Sequence, residues 1–298
     1  MGVQTRRLEL LLELSRLGSM RQVADALGIT TSTVSQQIAA LAAETGVALL
    51  EPHGRRVRFS PAGRRLAEHA ETILAAVEAA RVDLDPDAEP AGTLRVAGFA
   101  TAVRRSLLPI IADLAVTHPK VRLLISEHEP AEAIALLGSD DVDLALTYDY
   151  DLAPAATDRT VTSTRLWTAA WALGAPADPA RDALGSALAT VRQFRDFDWI
   201  VNSRNNADER VLRTVASMAD FHPKISHQVD SLELVQDLIV AGLGVGLLPA
   251  DHPTAPDVEL LPLNDPAVTL RSYALTRNGR QRWPPLELVV GLLTARAG

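Results

Sequence analysis

The 298-residue sequence contains no cysteine. That absence removes disulfide frameworks, thiolate zinc sites, iron–sulfur clusters, cysteine nucleophiles and thiol redox chemistry together. Long hydrophobic runs are missing as well: the longest fall far short of the roughly 20 residues that cross a bilayer as a helix, so no membrane span is expected. Met1 to Leu14 carries Arg6 and Arg7 but places Glu9 and Glu13 inside its apolar stretch. A secretory signal has an uncharged core there, and a cytoplasmic protein is the expectation. Catalytic signatures are also lacking. No Gly-x-Ser-x-Gly elbow and no Gly-rich phosphate loop with a lysine occurs, and Gly242 to Gly246 lacks the strand-then-helix order of a dinucleotide fingerprint. The seven histidines are scattered. Only His128, between Glu127 and Glu129, sits among acids, and a histidine at a strand end on the surface is the expected role rather than a metal ligand. No catalytic residue, metal or cofactor is anticipated.

What remains is an ordinary globular composition, 47% hydrophobic and 22% charged, in a chain about twice the usual domain size. Two or three domains are predicted. The net charge of −8 argues at first against nucleic acid, yet the average misleads. Residues 1 to 65 hold nine arginines and five acids, a net +4, which leaves −12 for the rest. A small basic head on a large acidic body is the asymmetry expected when one module meets phosphate and the other does not.

In the head, Leu8, Leu11 and Leu12 give a first amphipathic helix that stops at Gly18. Ser19 caps a second helix with Val23, Ala24 and Leu27 inward, ended by Gly28, whose left-handed backbone suits a tight turn. Thr30 caps a third, in which Val34, Ile38 and Leu41 form the buried stripe. Thr31, Ser32, Ser35, Gln36 and Gln37 then point outward. Small hydroxyls and amides at the amino end of an exposed helix suit a major groove, where Gln can bond an adenine edge and Ser or Thr can bond bases or phosphate. Val47 to Leu50 and Arg55 to Phe59 read as strands around a turn, a wing whose Arg55, Arg56 and Arg58 would reach backbone phosphates.

Ser60-Pro61 opens a long helix running to Asp85. Leu66, Ala70, Ile73, Val77, Ala80 and Leu84 are spaced 4, 3, 4, 3, 4, a heptad seam. A dimerisation helix is preferred over one packed on its own domain, an alternative that periodicity leaves open. An acidic, proline-containing linker follows to Gly92.

From Thr93 strands and helices alternate, which implies parallel sheets flanked by helices. Boundaries are expected at 1–60 for the head, 61–92 for the connector and 93–298 for a two-lobed body. Lobe I takes 93–159 and 264–298; lobe II takes 160–263. Ligands of open parallel sheets bind beyond the carboxyl ends of the strands. The candidates there are Ala100, Thr101, Ala102, Tyr148, Asn202, Ser203, Arg204, Asn205, Asp230 and Ser231, although Thr101 and Ser231 would serve equally as helix caps. Arg204 and the helix amino ends suggest an anionic metabolite such as a carboxylate or amino acid.

Across nearly the whole chain this order resembles the LysR-type transcriptional regulators. The specific stretches are Ser19-Met-Arg-Gln-Val-Ala-Asp-Ala-Leu-Gly, Thr33-Val-Ser-Gln-Gln-Ile-Ala-Ala-Leu, Gly46-Val-Ala-Leu-Leu and Gly54-Arg-Arg-Val-Arg-Phe-Ser-Pro-Ala-Gly63, supported by Asp143-Leu-Ala-Leu and Gly242-Leu-Gly-Val-Gly-Leu-Leu-Pro249. The resemblance implies a winged helix-turn-helix with a two-lobed α/β effector domain. It also implies a ligand-sensing regulator that binds double-stranded DNA as a homodimer or homotetramer, with RNA polymerase as a further partner. Pro52 stands where the family usually has a basic residue, and Thr31 and Ser32 where it often has Gln-Pro, so operator sequence does not carry over. A solute receptor or an enzyme built on the two-lobed body is the alternative, and it leaves the head unexplained.

Overall fold

The structure, a computed structural model, describes residues 4–53, 56–85, 89–156, 159–178 and 185–296, with the backbone alone at positions 53, 56, 57, 82 and 83. The head holds α1 (Thr5–Leu17), α2 (Met20–Leu27) and α3 (Thr31–Thr45). Its caps form as the sequence predicts: the Gln22 N–H donates to Ser19 Oγ at 3.3 Å and the Thr33 N–H to Thr30 Oγ1 at 3.1 Å. Gly28 closes α2 at φ 64°. Leu8, Leu11, Val23, Val34, Ile38 and Leu41 meet in one core.

The wing pairs β1 (Leu50–His53) with β2 (Arg56–Phe59), Leu50 opposite Phe59. Its first strand therefore starts at Leu50, where the expected strand ends. Leu49, only 1% exposed, is a core plug. The Ser60 N–H donates to Leu49 O at 3.0 Å, and a Cβ at Gly63 would lie 2.0 Å from that same oxygen. Only glycine lets the connector approach the root of the wing so closely.

The connector α4 (Pro61–Leu84) divides the anticipated seam. Ala70 is fully buried in the head's core and Leu66 packs against it. Ile73, Val77 and Leu84 are 42%, 40% and 83% exposed, and Ala80 is exposed with them. The first turns of the seam thus pack on the chain's own head, as the alternative reading has it, and the later ones present an open apolar stripe.

Among the described residues the body is a single nine-stranded mixed sheet rather than two separate parallel ones. In the first lobe β3 (Gly92–Gly98) runs parallel to β4 (Val121–Glu127) and β5 (Leu144–Tyr150). In the second, β7 (Asp198–Val201) runs parallel to β8 (Lys224–Gln228) and β9 (Val245–Pro249). Two strands join them. The 16-residue β6 (Val161–Pro176) pairs antiparallel with β9 and β10 (Val258–Pro262) along its second half. Its first half pairs with β11 (Thr269–Arg277), which also pairs with β5.

Helices cover the sheet. After β3 the chain is helical in three pieces, α5 (Ala100–Ala102), a π-helical turn (Val103–Leu107) and α6 (Leu108–Thr117). Thr101 sits inside the first turn, not at the cap, which falls at Phe99. The others are α7 (Pro130–Gly138), an unanticipated α8 (Ala187–Gln193), α9 (Ala207–Met218), α10 (Leu232–Val240) and α11 (Pro284–Ala295). Leu286, Val289 and Leu293 of α11 return to the core built by Leu94 and Val96.

Head and body meet through buried charge. Arg16 Nε of α1 lies 2.5 Å from Asp140 Oδ2, and Arg280 Nη1 lies 2.6 Å from Glu71 Oε1 and 3.0 Å from Asp140 Oδ1. Arg277 pairs with both acids as well. Asp143, 2% exposed, takes Arg280 at 3.1 Å and Arg95 at 2.8 Å. Burial would raise its carboxyl, but the hydrogen bonds from Arg95 and the Arg280 charge outweigh that and hold it below the ordinary range. Removing one member of a buried ion pair leaves the partner's charge desolvated and unmatched. Arg280→Ala should therefore lower stability by about 3 kcal/mol, read as a lower urea midpoint; an unchanged midpoint would contradict this account of the junction.

Candidate functional site

Two surfaces carry the candidate residues. On α3, Thr31, Ser32, Ser35 and Gln36 are exposed while Val34 and Ile38 are buried on the opposite side, so four uncharged polar side chains form the outer face of the helix's first half. Thr30 is occupied as the cap, its Oγ1 also 2.8 Å from Thr33 Oγ1. Gln37 differs from expectation. It is half-buried, and its Oε1 accepts from Arg7 Nε at 3.0 Å, with Arg7 held in turn by Glu44. In the wing Arg58 is exposed and 3.1 Å from Glu51 Oε1. Arg56 lies in β2 opposite His53, and Arg55 lies outside the described residues.

The second surface is a cleft of about 440 Å³ at the carboxyl ends of β3, β5 and β7. Ala100, Thr101, Tyr148, Asn202, Arg204, Asp230 and Ser231 line it as the strand-end argument anticipates. Ala102 does not: it is fully buried in the first lobe's core. Ser203 and Asn205 act from behind the lining. The Ser203 N–H donates to Asp230 Oδ1 at 2.9 Å and its hydroxyl donates to Oδ2, while Asn205 Nδ2 donates to Glu129 and, at 3.0 Å, to Tyr148 Oη. Ser231 caps α10 by accepting from the Leu234 N–H at 3.2 Å.

Arg204 already pairs with carboxylates of the protein itself. Its Nε is 3.1 Å from Asp230 Oδ2, and its terminal nitrogens lie 3.5 Å from Glu132 and 3.6 Å from Glu127 across the cleft. Further ion pairs cross between the lobes, Arg104 to Glu233 at 3.4 Å and Arg105 to Asp251. Burial alone would raise the Asp230 carboxyl, yet the hydrogen bonds from Ser203 and Arg204 hold it below the usual range.

Two carboxyls that the strand-end argument did not single out complete the cleft. Glu129 caps α7 and is 6% exposed; Asp208, in the first turn of α9, is 8% exposed. Tyr150 Oη donates to Asp208 Oδ1 at 2.8 Å, and the Asn202 amide, turned to donate, reaches Oδ2 at 2.7 Å. Burial, reinforced by neighbouring carboxylates, raises both groups, Asp208 to about 7. The sequence signal for both was an acid in the first turn of a helix, which reads as a dipole partner and nothing more. Among the described residues no group of three or more His, Asp or Glu could hold a metal ion, and no helix is long and apolar enough to cross a membrane.

Residues 5–64 match the family model described as "Bacterial regulatory helix-turn-helix protein, lysR family", and residues 87–298 match that of the "LysR substrate binding domain". The chain is 29% identical over 230 residues to the transcriptional dual regulator GltC of Bacillus subtilis (strain 168), which covers 73% of this chain and 71% of that one. It is 24% identical over 245 residues to the HTH-type transcriptional regulator CysB of Haemophilus influenzae, covering 82% and 74%. Full-length OxyR of Pseudomonas aeruginosa superposes with a TM-score of 0.71 at 19% identity, covering 100% of this chain and 95% of the other. CbnR complexed with its target DNA gives 0.55 at 20% identity, covering 99% and 100%. At those identities the solved structures share the fold.

The raised Asp208 carboxyl has a consequence for stability. The folded protein keeps a proton there that the unfolded chain releases near 3.8, so ionisation on the way to about 7 works against folding. Below about pH 4 both states are protonated and the effect vanishes; above about 7 it is complete, on the order of 4 kcal/mol. Asp208→Asn should gain stability relative to the wild type as pH rises from 4 to 8, measured by urea midpoints. A difference independent of pH would reject the assignment.

Proposed function

The chain belongs to the LysR-type family of transcriptional regulators, and from that premise we propose that it grips an interrupted inverted repeat as a homodimer, or a pair of dimers, switched by a small metabolite in the interlobe cleft. As a member of this family it is a DNA-binding transcriptional regulator with a helix-turn-helix and a substrate-binding domain. Its relatives GltC and CysB are regulators, neither solute receptors nor enzymes.

The observation that carries the reading of the head is the open polar face of α3. Ser32, Ser35 and Gln36 project from it with no side-chain hydrogen bond among the described residues, above a buried apolar stripe that fixes the helix's rotation. Such a face offers hydrogen bonds to base edges, while Arg55, Arg56 and Arg58 supply the charge that phosphate contacts need. Dimerisation is supported by the exposed stripe Ile73, Val77, Ala80 and Leu84, whose 4, 3, 4 spacing is that of a helix seeking a partner helix. The cleft is supported as the effector site by its position at the strand ends and by the ion pairs that join its two walls. A ligand seated among them changes the free energy of one lobe arrangement relative to another, and so regulates.

Replacing Gln36 by Ala should cost about 1 to 3 kcal/mol at one operator position while leaving affinity for random DNA nearly intact. Equal losses on both would remove Gln36 from base reading. Ile73→Asp places a charge in the proposed seam and should turn the dimer into monomers in sedimentation, with a matching loss of affinity for an operator whose half-sites lie about one helical turn, or multiples of it, apart. A variant that stays dimeric and binds normally rules the seam out.

A further inference from the structure

We propose that the cleft's ligand is a small organic cation, an alkylammonium or guanidinium group recognised by the Asp208 and Glu129 carboxylates beside the Tyr148 ring, and not the carboxylate that Arg204 suggested. The inference rests on the reading that the cleft is the effector site, and it adds the charge of the molecule that enters.

The charges are unevenly matched. Five carboxylates line the cleft against two guanidinium groups, Arg104 and Arg204. Both cations are engaged, Arg104 by Glu233 and Arg204 by Asp230 with Glu127 and Glu132. An incoming anion would compete for guanidinium groups already paired, and it would meet the remaining carboxylates at close range.

Glu129 and Asp208 are the ones left over. Each is more than nine-tenths buried, and neither has an ion pair among the described residues. Their hydrogen bonds come from neutral donors, the Tyr150 hydroxyl to Asp208 and the Asn205 amide and Tyr148 hydroxyl to Glu129. Neutral donors orient a carboxylate without cancelling its charge, and a buried charge with no counter-charge is costly. Protons relieve that cost in part; a ligand cation would take their place and gain charge-assisted hydrogen bonds from groups already fixed in position.

Aromatic faces point the same way. Phe99, Tyr148 and Trp171 line the same cleft, with the Phe99 and Tyr148 ring centroids 4.6 Å apart. The electron-rich face of such a ring attracts a cation and offers an anion nothing. A bare metal ion is a poor fit, because the described residues bring no three His, Asp or Glu together. At about 440 Å³ the space suits a small organic molecule.

The test compares probes of one length and three charges on the full-length protein: 1,4-diaminobutane, 1,4-butanediol and succinate, with agmatine as the guanidinium probe, by titration calorimetry and thermal shift at neutral pH. At least one of the two cations should bind and raise the melting temperature, while the diol and succinate do not. Asp208→Asn and Glu129→Gln should each weaken that binding roughly tenfold or more, about 1.4 kcal/mol by the usual conversion. The second variant keeps the shape of its site should the first fold poorly. Succinate binding that is lost in Arg204→Ala would overturn the cationic ligand and leave the cleft as the effector site. No response to either cation would also overturn it. Cation binding undiminished in both carboxyl variants would overturn it too, and would count against the cleft itself.

Discussion

Glu71 and Asp140 each lie less than a tenth exposed among guanidinium groups that come from two distant stretches of the chain: Arg16 in α1, and Arg277 and Arg280 at and just past the end of β11. Neither acid would be stable there alone, and neither would the arginines once desolvated. The cost of burying each is offset only while head, connector and first lobe hold one arrangement. Asp140 meets this constraint with a left-handed backbone at φ 65°, a conformation Asp tolerates better than most residues. The placement of α3 relative to the interlobe cleft depends on this junction, since α1 packs on α3 and α4 while Asp140 follows directly from α7 of the first lobe. A shift of the first lobe must move these charges together or separate them, and ion pairs of this kind have few intermediate states.

The cleft uses charge in another way. Its crossing pairs, Arg104 with Glu233 and Arg105 with Asp251, are exposed enough to be screened by salt and to exchange with water. They are weak clasps where the junction is a strong one. Charge is thus graded along the molecule, with exposed pairs across the cleft and buried ones where the head meets the first lobe.

The head was legible because its signals are local. Ser19, Gly28 and Thr30 fix helix ends through bonds to residues within five positions, and the alternation of buried and exposed side chains on α3 follows from period alone. The wing's start was misplaced because Val47 to Leu50 is apolar in sequence, whereas the reason Leu49 is buried lies 14 residues on, at Gly63. The connector's heptad was read as one seam because spacing does not say which partner each turn meets. In the body, β6 escaped recognition as one strand: its first half alternates and its second half is buried without a break, since it passes from one lobe's surface to the other's interior. The short α8 gave no periodic signal, with only seven residues. Asp208 and Glu129 acquire their character from residues more than 50 and 70 positions away, Tyr150 and Asn205, and no local pattern reports such a meeting.

The place of β11 in the sheet bears on how the chain is made. Thr269–Arg277 lies between β5 and β6, although it follows the whole second lobe in sequence. The head's core, by contrast, is complete by Leu74. As the chain leaves the ribosome the head can close once Leu74 has emerged, while one edge of β5 stays unpaired until Thr269–Arg277 follows, after the whole second lobe. An unpaired edge of that kind invites pairing with other chains. A chain caught between Leu74 and Thr269 therefore carries a closed head on a body whose sheet still has an open edge.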